Sequence, residues 1–111
     1  MPAYLLNLCR SISDRDAVDE YWRRASATYS GKARVLAAYT PFEMLEGDIP
    51  VWGVVAVEWD SMEDARQWYH GEGYQAVKKL REGAQDNICI LVDGGWVPME
   101  ARRPPPNSPA G

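Results

Sequence analysis

Residues 45–75, LEGDIPVWGVVAVEWDSMEDARQWYHGEGYQ, decide how the rest of the chain is read. The stretch opens on a turn at 45–48, where Gly47 supplies the permissive backbone. Residues 51–59, VWGVVAVEW, then read as a central strand, rich in valine and apolar on both alternating faces. Val51, Gly53, Val55, Val57 and Trp59 share one face; Trp52, Val54, Ala56 and Glu58 share the other. Ser61 starts a helix, with Asp64 three residues on as a variant of the capping box. Met62, Ala65, Trp68 and Tyr69 form its apolar stripe. The run His70-Gly71-Glu72-Gly73 breaks the helix, since each glycine disfavours it by roughly 1 kcal/mol relative to alanine. A helical pattern resumes at Tyr74 and continues through Val77, Leu80 and Arg81 to residue 84.

Working outward, residues 3–9 read as a strand with Tyr4, Leu6 and Leu8 on one face and Leu5, Asn7 and Cys9 on the other. Asn7 is a polar amide among apolar neighbours: it bonds nearby backbone or points into a ligand cavity. Residues 14–29 read as a helix capped by Asp14. Its apolar face is Ala17, Val18, Tyr21, Trp22, Ala25 and Tyr29, read as core packing, and Gly31 ends it. Residues 33–39 read as a second strand, with Arg34 and Tyr39 on opposite faces, and residues 87–93 as a fourth.

The order is βαββαβ with a split second helix: an α+β, ferredoxin-like fold with a four-stranded antiparallel sheet. Helices cover one sheet face. The other, carrying Leu5, Leu36, Trp52, Val54 and Ala56 or their alternates, would be a large apolar patch in a monomer. Two sheets packed face to face solve this, so a homodimer forming a dimeric α/β barrel with a cavity beside each sheet is expected. The domain is expected over residues 1–97. Residues 98–111 form a proline-rich tail that lies extended over its own domain or the partner subunit. Arg103, Pro106 and Pro109 happen to fit an RxxPxxP spacing.

The 111 residues fit one domain, and a chain of this size buries only roughly two-thirds of its unfolded surface. The net charge of −4 and pI near 4.9 argue against nucleic acid as a partner. Cys9 and Cys89 lie far apart, with no CxxC and no Cys/His cluster, so no metal site is expected. The chain shows neither a signal-like apolar segment at its start nor an apolar run long enough to cross a membrane. A cytoplasmic setting with reduced thiols is the expectation.

Several runs resemble a known family. Asp14-Arg15-Asp16-Ala17-Val18-Asp19-Glu20-Tyr21 is similar to its first-helix pattern and Leu45-Glu46-Gly47-Asp48 to its turn. Val54 through Ser61, with Glu58 followed by an aromatic, resembles its central strand and cap. Trp68-Tyr69 followed by Tyr74-Gln75 resembles its helix-break signature. The chain is therefore similar, over about residues 1–97, to the domain of unknown function 1330 family of the dimeric α/β-barrel superfamily. The resemblance implies the dimeric barrel. Where the family carries Arg-Gly-Gly after the second strand, this chain has Ala38-Tyr39-Thr40, and the family's basic residue opening the central strand is Gly53. The departures imply a pocket arginine lost and aromatics gained. They point to a flatter, more apolar ligand, aromatic or polyketide-like.

No phosphate loop, nucleophile elbow or dinucleotide fingerprint is present, so no cofactor is expected. The candidate acid–base residues are Glu58, near the end of a strand facing the barrel, and His70, the lone histidine. Tyr39, Asn7, Trp52 and Arg34 are the candidate substrate-binding residues. The leading expectation is a cofactor-independent isomerase, cyclase or lyase acting on a small apolar metabolite. The alternatives are a non-catalytic binding dimer and a cofactor-free monooxygenase that uses Asn7, Trp52 and His70.

Overall fold

The computed structural model describes residues 1–103; the part of the proline-rich tail at 104–111, including Pro106 and Pro109, lies outside the described residues. The elements are β1 (Ala3–Ile12), α1 (Arg15–Ala25), β2 (Ala33–Ala38), β3 (Gly53–Trp59), α2 (Met62–His70), α3 (Glu72–Lys78) and β4 (Gln85–Asp93). All strand pairs are antiparallel, in the order β2-β3-β1-β4. This is the ferredoxin-like βαββαβ arrangement with a split second helix.

Local chemistry sets the helix starts. The Asp14 carboxylate accepts from the Ala17 N–H at 3.2 Å, and Ser61 Oγ accepts from the Asp64 N–H at 3.1 Å. Helix α1 is shorter than the apolar spacing suggests. It ends at Ala25, and Ser26–Thr28 tighten into a 3-10 turn. There the Thr28 hydroxyl donates to the Ala25 carbonyl at 2.6 Å, competing with the helical pattern. The break between α2 and α3 is a single residue, narrower than the sequence pattern suggested. Gly71 closes α2, its N–H donating to the Trp68 carbonyl at 3.3 Å, and α3 begins at the next residue. A β-carbon at Gly71 would lie 2.8 Å from the Gln67 carbonyl oxygen, so only glycine fits this corner. Helix α3 stops at Lys78 rather than near residue 84, and hydrogen-bonded turns carry the chain through Arg81 to β4.

Register determines which residues face the helices. Ala3, Leu5, Asn7 and Cys9 stand opposite Trp59, Val57, Val55 and Gly53, and this set faces α1–α3. Ala3, Leu5, Val57, Trp59 and Ala65 form the buried core, with Tyr29, Met62, Trp68 and Leu91 packed against it. Leu5 is therefore on the covered face, not the open one. The open face carries Tyr4, Leu6, Val54, Ala56, Ile90 and Val92; Leu6, Ile90 and Val92 on it are exposed. An irregularity between Val35 and Ala37 shifts β2 by one residue and sets Ala38 opposite Val55, toward the helices. Trp52 departs from strict alternation because β3 begins only at Gly53. Its N–H still donates to the Cys9 carbonyl at 2.7 Å, but its ring turns onto α1 and stacks on Trp22. Among the described residues no helix is long and apolar enough to cross a membrane.

Candidate functional site

A cavity of about 340 Å3 lies between the sheet and the helices, within the size range of small-molecule sites. Leu5, Asn7, Val55 and Cys89 form its floor. Tyr21, Trp22 and Ala25 come from α1, Trp68 from α2 and Tyr74 from α3, while Tyr39 and Arg81 come from the segments after β2 and α3. Six aromatic side chains share the lining with aliphatic ones, and its polar groups converge from elements far apart in sequence.

Two polar clusters stand in it. In the first, the hydroxyls of Tyr21 and Tyr74 meet at 2.7 Å, and Arg81 Nη2 donates to Tyr74 at 3.4 Å with its guanidinium 5.2 Å from the Tyr21 ring centroid. Burial, helped by Tyr74, pushes the Tyr21 phenol far above its ordinary value, so it stays protonated. In the second, Trp22 Nε1 donates to the Tyr39 hydroxyl at 3.1 Å and Gln85 Nε2 to the same oxygen at 3.4 Å. Asn87 braces Gln85 at 2.9 Å. The Oδ1 atoms of Asn7 and Asn87 are buried without a partner; such atoms are costly unless a ligand or water meets them.

Tyr39 adopts a left-handed φ of 57°, and its ring lies flat over Gly53. A β-carbon at 53 would come within 2.3 Å of Tyr39 Cδ1. The Gly53→Ala variant is expected to expel the Tyr39 ring, break its bond from Trp22 and cost about 1–3 kcal/mol. A double-mutant cycle with Tyr39→Ala checks this: the cost of Gly53→Ala falls sharply when the ring is absent. Equal costs in both backgrounds would show that the contact is not the cause.

The structure distributes the sequence candidates over three places. Asn7 and Tyr39 line the cavity. Trp52 stacks on Trp22 and meets the Tyr39 ring edge-on, behind the cavity wall, with the Arg15 guanidinium 5.6 Å from its ring. Arg34 and Glu58 stand opposite each other on the open face, where Arg34 Nε donates to Glu58 at 2.8 Å and Nη2 to Asp60 at 2.9 Å. His70 is exposed on α2, at a second cavity of about 390 Å3 against β4 that shares Leu5 and Cys89 with the first. Glu58 and His70 thus do not converge.

Sequence reasoning passed over Tyr21, Tyr74 and Arg81 as cavity-lining residues; Arg81 brings an arginine into the cavity from an element other than those where the resemblance implied a loss. The signal was an arginine inside the apolar stripe Tyr74–Val77–Leu80, where a side chain that merely reaches water is the ordinary reading. Both cysteines are free. Cys9 is sealed in the core, whereas Cys89 opens onto the cavities, and burial raises its thiol pKa with Arg81 opposing.

The phenols predict an alkaline weakness. Burial pushes Tyr29 up to about 12 from its ordinary value of 10.0, and Tyr39 moves the same way. The folded state therefore holds these protons longer than the unfolded chain. The Tyr29 contribution is complete below pH 10.0 and is lost as pH rises toward about 12. Urea midpoints are expected to fall between about pH 9 and about pH 11.5, and less steeply in Tyr29→Phe. An unchanged slope in that variant would remove Tyr29 from the account.

The fold is shared with proteins of solved structure. RPA0582 from Rhodopseudomonas palustris, a protein of unknown function, is 19% identical with a TM-score of 0.68, covering 86% of this chain and 84% of that one. A dimeric ferredoxin-like protein of unknown function from Bacteroides fragilis is 11% identical, with a TM-score of 0.57 over 84% of this chain and 96% of that one. A point mutant of SnoaB from Streptomyces nogalater, a cofactor-independent oxygenase, is 9% identical, with a TM-score of 0.61 over 86% of this chain and 95% of that one. At these identities the likeness shows the fold alone. No curated protein matches the sequence. The family model described as "Domain of unknown function (DUF1330)" matches residues 2–95, and the chain belongs to that family.

Proposed function

We propose that the protein is a homodimeric, cofactor-free enzyme that binds a flat, largely apolar metabolite, aromatic or polyketide-like, in the sheet–helix cavity and stabilises an oxyanion forming on it. The observation that carries this reading is the Tyr21–Tyr74 hydroxyl pair at 2.7 Å inside a cavity lined largely by aromatic and aliphatic side chains. One hydroxyl donates to the other, which leaves the second proton free for a ligand oxygen. The Tyr21 phenol, held protonated by burial, donates without ionising itself, as an oxyanion site requires. The negative charge of a substrate enolate would fall on that oxygen.

Among the described residues, no carboxylate and no histidine line this cavity. The reading therefore favours a substrate acidic enough to lose its C–H or O–H proton to water. Isomerisation and cyclisation through an enolate fit this pattern. Reaction of the enolate with dioxygen as oxidant is the second reading. It is favoured by the unpartnered Asn7 Oδ1 beside the aromatic wall and by the shape shared with SnoaB.

Exchange of the α-protons of 2-tetralone in D2O, followed by NMR, tests the first reading. The wild type is expected to accelerate exchange, and Tyr74→Phe to lose on the order of a hundredfold of that acceleration. Binding of 2-tetralone without acceleration would overturn the enzymatic reading and leave a non-catalytic binding protein.

A further inference from the structure

We infer that the ligand itself carries a permanently anionic oxygen, and that Arg81 is the residue that pairs with it. The inference deepens the proposed function and rests on it: that reading asks for charge developing during the reaction, whereas this one asks for charge present in the bound molecule beforehand.

Of the nine arginines, Arg66, Arg102 and Arg103 are exposed to water without an ion pair among the described residues, and Arg81 alone is buried. Arg10, Arg15, Arg23, Arg24 and Arg34, all reaching solvent, each meet a carboxylate: Asp86, Asp19, Glu20, Glu20 again, and Glu58 with Asp60. Arg81 reverses both properties. It is 9% exposed, and it makes no ion pair among the described residues. Its contacts are a long hydrogen bond from Nη2 to the Tyr74 hydroxyl at 3.4 Å and the Tyr21 ring face at 5.2 Å. Its Nε is buried with no partner at all.

A guanidinium does not give up its proton at any ordinary pH. A buried ion normally keeps a counter-charge, because desolvation is otherwise uncompensated. Arg81 has a neutral phenol and an aromatic face in its place, and it lines the cavity. The missing counter-charge is therefore assigned to the ligand. An oxyanion held in the cavity beside the Arg81 guanidinium supplies that counter-charge. Aromatic walls then hold a flat body, and Tyr39, whose oxygen already accepts from Trp22 and Gln85, keeps its own proton to donate. The chemistry recognised is an anionic oxygen on a flat apolar frame, whether a carboxylate or an acidic enol ionised at neutral pH.

Quenching of tryptophan fluorescence by three probes of matched shape tests this at neutral pH: 2-naphthoate, 2-hydroxy-1,4-naphthoquinone as its enolate, and neutral 2-naphthamide. At least one anion is expected to bind on the order of tenfold or more tighter than the amide. The anion that gains more identifies the source as carboxylate or enolate. The preference is expected to vanish in Arg81→Gln and to survive in part in Arg81→Lys. Equal binding of anions and amide by the wild type would overturn this inference while leaving the cavity reading in place. Binding of none of the three would overturn both. The wild-type comparison needs no variant, so a poorly folding Arg81→Gln leaves the test intact.

Discussion

Trp59→Ala is expected to cost about 3–5 kcal/mol, against a total stability of about 5–15 kcal/mol for an ordinary domain. The indole is 1% exposed at the end of β3, with ring centroids 5.4 Å from Tyr29 and 4.8 Å from Trp68. Those two rings are tied to each other and to the turn after α1: Trp68 Nε1 donates to Thr28 Oγ1 at 2.7 Å. Deleting Trp59 therefore opens a void beneath the 3-10 turn and α2 together, which neither can close by moving alone. A denaturant titration reads the loss as a lower midpoint at an unchanged slope. Trp59→Phe is expected to cost much less, because Trp59 Nε1 is itself buried without a partner and phenylalanine removes that penalty with the atom. Comparable losses in the two variants would mean that the nitrogen, not the ring volume, matters at this site.

In the proposed homodimer, Ile90→Glu is expected to separate the subunits without unfolding them. Ile90 is 51% exposed on β4, in register with Leu6 on β1, and Val92 continues the row. On β1's other side Leu6 stands opposite Ala56. A flat apolar face of this kind, with no helix over it, is stable in water when a second copy covers it. One carboxylate per subunit, placed at the seam, meets its symmetry mate or buries unpaired, and either outcome is prohibitive. Light scattering coupled to size exclusion reads the mass directly, and circular dichroism checks the fold. A wild type that is monomeric at micromolar concentration would sink the dimer, as would a variant whose mass does not change.

The fold was legible because its signals are local and periodic. Alternation in 51–59 set the two faces of β3 correctly from Gly53 to Trp59, and Ser61 marked the start of α2 in one residue. The errors fall where periodicity is interrupted by something alternation does not encode. Trp52 lies one residue outside the strand, and aromatic contact with Trp22 and Tyr39 governs its ring instead. The irregularity between Val35 and Ala37 changes which residues of β2 see the helices. Arg81 was lost to a length error: with α3 carried on to residue 84, it reads as one more position on a helix flank. Ending α3 at Lys78 turns the chain and brings the same side chain into the cavity. Glu58 shows a different limit. Its parity was read correctly, and two roles stayed open, a base or an anchor bonded to backbone or Arg34; the assembled sheet sets Arg34 across the ladder, with Nε donating to the carboxylate at 2.8 Å.

The contact between Tyr39 and Gly53 has a consequence for the order in which the cavity could have been built. With 2.3 Å left for a β-carbon, an ancestor bearing any side chain at 53 had no room for this tyrosine in its present pose. Loss of the side chain at 53 had to precede, or accompany, arrival of the ring. The reverse path carries the same strain, because a side chain regained at 53 displaces the Tyr39 ring from its present pose. These two positions lie on separate segments of the chain yet evolve as one site. Reconstructed ancestors along this branch should show the glycine before the tyrosine, and never the tyrosine alone.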